Sequence, residues 1–126
     1  MNAILAIAAG GALGAVMRHG ANIGAVKLLG HGFPYGTLAV NVAGSFAMGL
    51  LIAAFAHYWQ PPEALRVYLV TGFLGAFTTF STFSLDFASL WERGAYLYSA
   101  LYLGGSVVLS IAALFIAMAL VRGLVS

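Results

Sequence analysis

The chain has no cysteine among its 126 residues. That absence excludes disulfides, a thiol nucleophile and thiolate metal ligation. Charge is the second shortage. Charged residues make up 6% of the sequence, against about a quarter in a water-soluble domain. The histidines, His19, His31 and His57, are scattered and show no ligand spacing. Proline is scarce too, and Pro34, Pro61 and Pro62 all fall where turns are expected. What remains is apolar. Hydrophobic residues account for 63%, and the mean hydropathy is +1.02. The chain therefore reads as an all-α integral membrane protein. A span needs about 20 residues, so residues 1–126 hold four helices with short loops as one transmembrane domain, with no room for a soluble one. The first apolar stretch has no basic segment before it and reads as a retained span.

Span 1 is expected from about Asn2 into the low twenties. Gly10, Gly11 and Gly14 lie among alanines, a surface that another helix can approach closely. Arg18, near its end, reads from position alone as an interfacial anchor. Gly20 to Gly36 reads as a Gly-rich connector with a turn at Pro34-Tyr35-Gly36. Span 2 runs from Thr37 to about His57. Asn41 is its one amide within the apolar run 38–55. Either it bonds a neighbouring helix or it offers its NH2 group to an anion. His57 to Glu63 reads as an exit and re-entry, with interfacial Tyr58 and Trp59. Span 4 is expected over about 95–121. Its Ser99, Tyr102, Ser106 and Ser110 share one helical face. Such a stripe either lines a pathway or bonds neighbouring helices, and periodicity alone leans to the second.

Span 3 is the unusual one. From Glu63 to Arg93 it would be about 46 Å long as one straight helix, against about 30 Å of hydrocarbon. Within it, Gly72 to Ser84 crowds two glycines, three threonines and two serines into one short run. These are mediocre to poor helix formers, and their hydroxyls compete for backbone bonds. An interruption at Thr78–Ser84 absorbs the excess length. The freed amides and carbonyls must then face protein or a pathway. An ordinary helix-packing face stays open as the other reading.

Phe77, Phe80 and Phe83 recur every three residues, which predicts a ladder of rings. A phenyl edge carries positive potential and can rest against an anion. Hydroxyls of Thr79, Ser81, Thr82 and Ser84, the Asn41 amide and the Tyr102 phenol are the available donors. No lysine or arginine lies in mid-span, which suits rapid release of an anion. Across the alternate sides of four spans, Arg66 and Arg122 stand against Arg18, Lys27 and Arg93. That bias is too even to instruct orientation. Insertion both ways, and pairing of opposite copies as an antiparallel homodimer, follow as expectations.

The residues Gly36-Thr37-Leu38-Ala39-Val40-Asn41 and Thr71-Gly72-Phe73-Leu74-Gly75, with Thr78-Thr79-Phe80-Ser81-Thr82-Phe83-Ser84, resemble the signatures of the Fluc (CrcB) fluoride channels. Gly14-Ala15-Val16-Met17-Arg18 and Tyr102-Leu103-Gly104-Gly105-Ser106 match as well, so the likeness covers nearly the whole chain. The resemblance implies a passive fluoride channel in the bacterial plasma (inner) membrane that protects the cell from fluoride. It implies a dual-topology antiparallel homodimer with two pores and no enzymatic activity. Neither nucleic acid nor another protein is an expected partner. Carried over by motif, Phe80 and Phe83 are the pore rings and Asn41 the pore amide. Thr82, Ser84, Tyr102, Ser106 and Ser110 are polar pore residues, and Arg18 draws anions into a vestibule. A structural Na+ at the dimer interface is implied on the backbone carbonyls of Gly75 and Thr78. The chain departs from the family pattern at Ala76, Phe77 and Asp86, where Gly, Leu and Glu are commoner.

A proton-coupled exporter of drugs or cations has a similar size. It needs a membrane-embedded carboxylate, and spans 1, 2 and 4 have none. An intramembrane Ser/His hydrolase lacks a nucleophile elbow. A purely structural subunit would leave the rings, the hydroxyl stripe and the long third span as coincidences.

Overall fold

Continuous apolar runs of about 20 residues suit helices in a membrane, because a helix satisfies each backbone group within its own segment. The computed structural model describes residues 2–125, with Val125 as backbone only, so Met1 and Ser126 lie outside the described residues. Among the described residues there is no strand. Four helical stretches are long and apolar enough to cross a membrane, namely Ala3–Leu29, Tyr35–His57, Glu63–Glu92 and Tyr96–Leu124. The protein is an all-helical, multi-pass membrane protein.

Helix α1 (Ala3–Leu29) starts at Asn2, whose side-chain oxygen accepts from the Ile4 N–H at 2.7 Å. It stops at Gly30, which takes φ 83°, a conformation that only glycine adopts cheaply. The expected connector from Gly20 is thus too long. Gly20 to Leu29 stay helical, and the loop is only residues 30–34. Isolated glycines cost about 1 kcal/mol each in a helix. That is less than exposing a turn of backbone to lipid. Helix α2 covers Tyr35–His57.

The third span is assembled from pieces. After Pro61-Pro62, α3 (Glu63–Val67) leads into a π-helical segment, Tyr68–Leu74, and then a single turn, α4 (Gly75–Phe77). Thr78 (φ −88°, ψ 159°) and Thr79 (φ −153°, ψ 121°) are extended. Helix α5 (Phe80–Glu92) follows. Of the stretch Thr78–Ser84, only two residues leave helical geometry. Ser81 to Ser84 are helical, because the Thr79 hydroxyl caps the new helix at the Thr82 N–H, 3.1 Å away. The π-helical segment has no counterpart in the sequence reading. Gly94 (φ 80°) ends the span, and α6 is Tyr96–Val125.

Close packing depends on missing side chains. An added Cβ at Gly10 would meet the Tyr68 carbonyl oxygen, and one at Gly14 the Phe73 carbonyl oxygen. At Gly72 it would lie 2.7 Å from the Ile7 carbonyl. Helix α1 therefore rides directly on the π-helical backbone, the approach that small residues permit in lipid. Helix α2 packs along α6, with Gly49 against the Leu114 carbonyl. The buried cluster is Phe83, Leu90 and Tyr102, with Phe33, Leu38, Phe87 and Ala95 around it. It joins α5 to α6 beside the extended pair.

Candidate functional site

Two consecutive extended residues free peptide groups that a helix would have paired. Side chains from α1 and α2, and hydroxyls of the third span itself, take up part of that demand. The Asn41 amide donates to the Thr79 carbonyl at 3.0 Å. Its oxygen accepts from the Thr79 N–H at 2.8 Å. One side chain on α2 thus bonds both backbone groups of Thr79. The Thr78 hydroxyl bonds back to the Leu74 carbonyl at 2.9 Å. Arg18 reaches from α1 and donates through Nε to the Ala76 carbonyl at 2.9 Å. A cation suits that position, since carbonyls at a helix C-terminus carry partial negative charge.

The carbonyls of Gly75 and Thr78 are among those that lose their usual donors in this rearrangement. In a continuous α-helix the Thr79 N–H would serve Gly75, and the Thr82 N–H would serve Thr78. Here they go to Asn41 and to the Thr79 hydroxyl. Gly75 is also exposed on the single chain, although it lies well inside the third span.

The extended pair divides the phenylalanines differently from the expected ladder. Phe77 does not join Phe80. It stacks on Phe73, with ring centroids 5.8 Å apart and planes 8° from parallel. Two residues of extended chain carry Phe80 away from the face that Phe77 occupies. The rings that do form a row are Phe80 and Phe83 (5.5 Å), then Phe83 and Tyr102 (5.1 Å), then Tyr102 and Phe33 (5.5 Å). Phe83 is 6% exposed and Phe80 76%. Phe80 therefore forms one wall of a site that the single chain leaves open.

That site is a groove of about 400 Å³. Phe80 and Phe83 line it on one side, and Val107 and Ile111 on another. Its polar groups are Asn41, Ser45, Thr78, Thr79, Ser106 and Ser110. No charged side chain lines it. The Ser106 and Ser110 hydroxyls are buried without a hydrogen-bond partner. The hydroxyl stripe on α6 thus does little interhelical bonding. Ser99 returns to its own helix at the Ala95 carbonyl, and Tyr102 alone crosses to another helix, donating to Asp86 at 3.0 Å. A buried hydroxyl without a partner costs about 1–3 kcal/mol, so an occupant that accepts hydrogen bonds is favoured there.

Not every expected site residue meets in this groove. Thr82 lies outside it and faces a second groove of about 390 Å³ with Thr37, Asp86 and Arg93. Ser84 is exposed and bonds the Phe80 carbonyl on its own helix. Arg18 lines neither groove. Two polar residues carry no site role in the sequence reading. Thr37 and Ser45 flank Asn41 at four-residue steps, so all three lie on one face of α2. That spacing was available as a signal. Asp86, which stands out in the sequence only as a departure from the family pattern, is the acceptor for the Tyr102 phenol.

Comparison with known proteins agrees with this architecture. The profile of the family described as "CrcB-like protein, Camphor Resistance (CrcB)" matches residues 5–118. A protein of Rhodospirillum centenum named "Fluoride-specific ion channel FluC" is 52% identical over 122 residues, covering 97% of each chain. Proteins of the same name from Mesorhizobium japonicum and Nitrobacter winogradskyi are 50% and 52% identical. They cover 96% and 94% of this chain and 97% and 94% of their own. With a profile match over most of the sequence and relatives this similar from end to end, the chain belongs to the CrcB family.

Proposed function

We propose that this protein is a fluoride channel, which lets the ion leave a bacterial cell passively through the plasma membrane and so limits its toxicity. Its family and the name carried by its relatives support this reading. The observation that carries it is the uncharged groove, where two phenyl rings face hydroxyls that have no partner. Fluoride must shed tightly held water to enter lipid. An ionised acceptor forms hydrogen bonds roughly twice as strong as neutral ones. Ser106 and Ser110 can supply them, with the second N–H of Asn41, while the rims of Phe80 and Phe83 supply weaker positive potential. Tyr102 backs Phe83 and fixes the ring row. Thr82 and Ser84 serve the approach rather than the groove itself. A buried lysine would bind the ion too firmly for passage. No covalent bond is made or broken, and the protein is not an enzyme.

The third span acts in this reading as a discontinuous helix, opened at Thr78 and Thr79, and the working unit is an antiparallel homodimer. Three observations support a second copy. Phe80 is three-quarters exposed at mid-span, Gly75 is exposed there too, and the groove is open. A second chain pairing on this face would close all three. The freed carbonyls of Gly75 and Thr78 are hard oxygen donors, which suit a resident Na+ shared between the two copies. Such an ion would supply positive charge where helical N–H donors are missing.

Liposomes loaded with fluoride and reconstituted with the protein are expected to lose fluoride when a potassium ionophore sets the voltage. A fluoride-selective electrode reads the efflux. Chloride-loaded liposomes should retain their anion, and no proton gradient should be needed. Efflux that requires a proton gradient would support the exporter instead. For the dimer, a cysteine placed at Asn2 is expected to react with an impermeant maleimide from both sides of the membrane. Reaction from one side only would remove dual topology.

A further inference from the structure

Arg18 was expected to draw anions to the mouth, yet its guanidinium is tied to a backbone carbonyl within the third span. Another arginine is better placed. Arg93, at the end of α5, lines the second groove with Asp86, Thr82 and Thr37. It is exposed, and among the described residues it makes no ion pair and one weak bond, from Nη2 to the Gly32 carbonyl at 3.4 Å. We infer that Arg93 is the anion-recruiting cation of the mouth, and that Arg18 is a positioning residue that holds the opened third span. The inference rests on the fluoride-channel reading.

The groove leads toward the ring row. It is lined by Thr37, Thr82 and Asp86. Asp86 accepts from Tyr102, whose ring lies 5.1 Å from that of Phe83. The groove's ionisable groups are His31 from the α1–α2 turn, Tyr35 at the start of α2, Asp86 from α5 and Arg93 at its C-cap. Asp86 and Arg93 stand seven residues apart, so about 10 Å of helix separates them. No ion pair joins them among the described residues, and the Asp86 carboxylate accepts from the Tyr102 phenol. The cation therefore stands at the outer end and the carboxylate deeper. An anion meets attraction first, then the hydroxyls.

The two arginines predict different dependences on salt. Recruitment by an exposed charge acts through the field, which salt screens over about 30 Å at 10 mM but only about 3 Å at 1 M. Holding the Ala76 carbonyl is a contact that salt hardly touches. Fluoride efflux is measured well below saturation, at low and at high ionic strength set with an impermeant electrolyte. Arg93→Gln is expected to slow efflux about threefold or more at 10 mM, with the deficit vanishing near 1 M. Arg93→Lys should restore the wild-type rate at both. Arg18→Gln is expected to slow efflux by the same factor at both strengths. Size-exclusion elution matching wild type establishes that each variant is folded. Equal rates for Arg93→Gln and wild type at low salt would overturn the inference. So would an Arg18→Gln deficit that disappears with salt. If the wild-type protein passes no fluoride at all, the channel reading itself has failed, and that outcome is distinct from either.

Discussion

Phe83→Ile is expected to slow fluoride efflux about 10- to 100-fold, corresponding to roughly 1.4–2.7 kcal/mol of lost stabilisation along the path. Isoleucine fills much of the same volume but has no quadrupole, so its edge offers an anion nothing. Phe83 also sits at the junction of the ring row, 5.5 Å from Phe80 and 5.1 Å from Tyr102. Its loss therefore costs packing as well, about 1–2 kcal/mol for a buried aromatic replaced by a smaller aliphatic group. Phe80→Ile separates the two effects. That ring is 76% exposed in the single chain, so chain stability should change little while efflux falls comparably. Electrode traces with thermal unfolding in detergent read both quantities. Normal efflux in both variants would remove the rings from the pathway.

Asn41→Ala is expected to be more damaging still. The amide supplies a donor to the Thr79 carbonyl and an acceptor to the Thr79 N–H, at 3.0 and 2.8 Å. Alanine leaves the Thr79 N–H and C=O unpaired at membrane depth, at about 1–3 kcal/mol each. Side-chain hydrogen bonds between membrane helices average less, about 0.6 kcal/mol, because their unfolded reference finds other partners. A peptide group held extended by its fold has fewer alternatives, so the larger figure applies. Loss of about 2 kcal/mol corresponds to roughly 30-fold faster amide exchange at Thr79 to Thr82. Exchange followed by mass spectrometry checks this, and efflux should fall at least about 10-fold because Phe80 loses its fixed direction. Asn41→Asp keeps the acceptor for the Thr79 N–H but adds a negative charge to the groove. It should block efflux with a smaller change in exchange. Unchanged exchange in Asn41→Ala would mean that the clamp does not hold the extended pair.

Several residues that line the groove stand out in the sequence, and where the geometry differs from the sequence reading the reasons are physical. Asn41 stood out as the one amide in an apolar run, but its partner did not, since Thr79 is 38 residues away. The three-residue spacing of Phe77, Phe80 and Phe83 suggested one ladder, and that inference assumed one continuous helix. With Thr78 and Thr79 extended, Phe77 falls back onto Phe73. The same spacing argument applied to α6 worked better, because that helix is uninterrupted. Ser106 and Tyr102 are buried as one face, at 5% and 0% exposure. What periodicity could not say was whether those hydroxyls would find partners. Gly20 and Gly24 misled for another reason. Glycine weakens a helix by a fixed local amount, while the cost of opening it depends on what surrounds it.

The sequence by itself determined the solvent, the number of spans, the exclusion of thiol chemistry, and the segment where the third span is weakest. These depend on sums over neighbouring residues, which the order of amino acids contains directly. Only the tertiary structure decided which two residues open, which arginine is held at a carbonyl, and which hydroxyls stay unpartnered. A peptide group in lipid leaves its helix only where a replacement is within reach. For Ala76 and Thr79 that replacement comes from Arg18, 58 residues away, and from Asn41. Reach of that kind is a property of packed helices, and no local propensity encodes it.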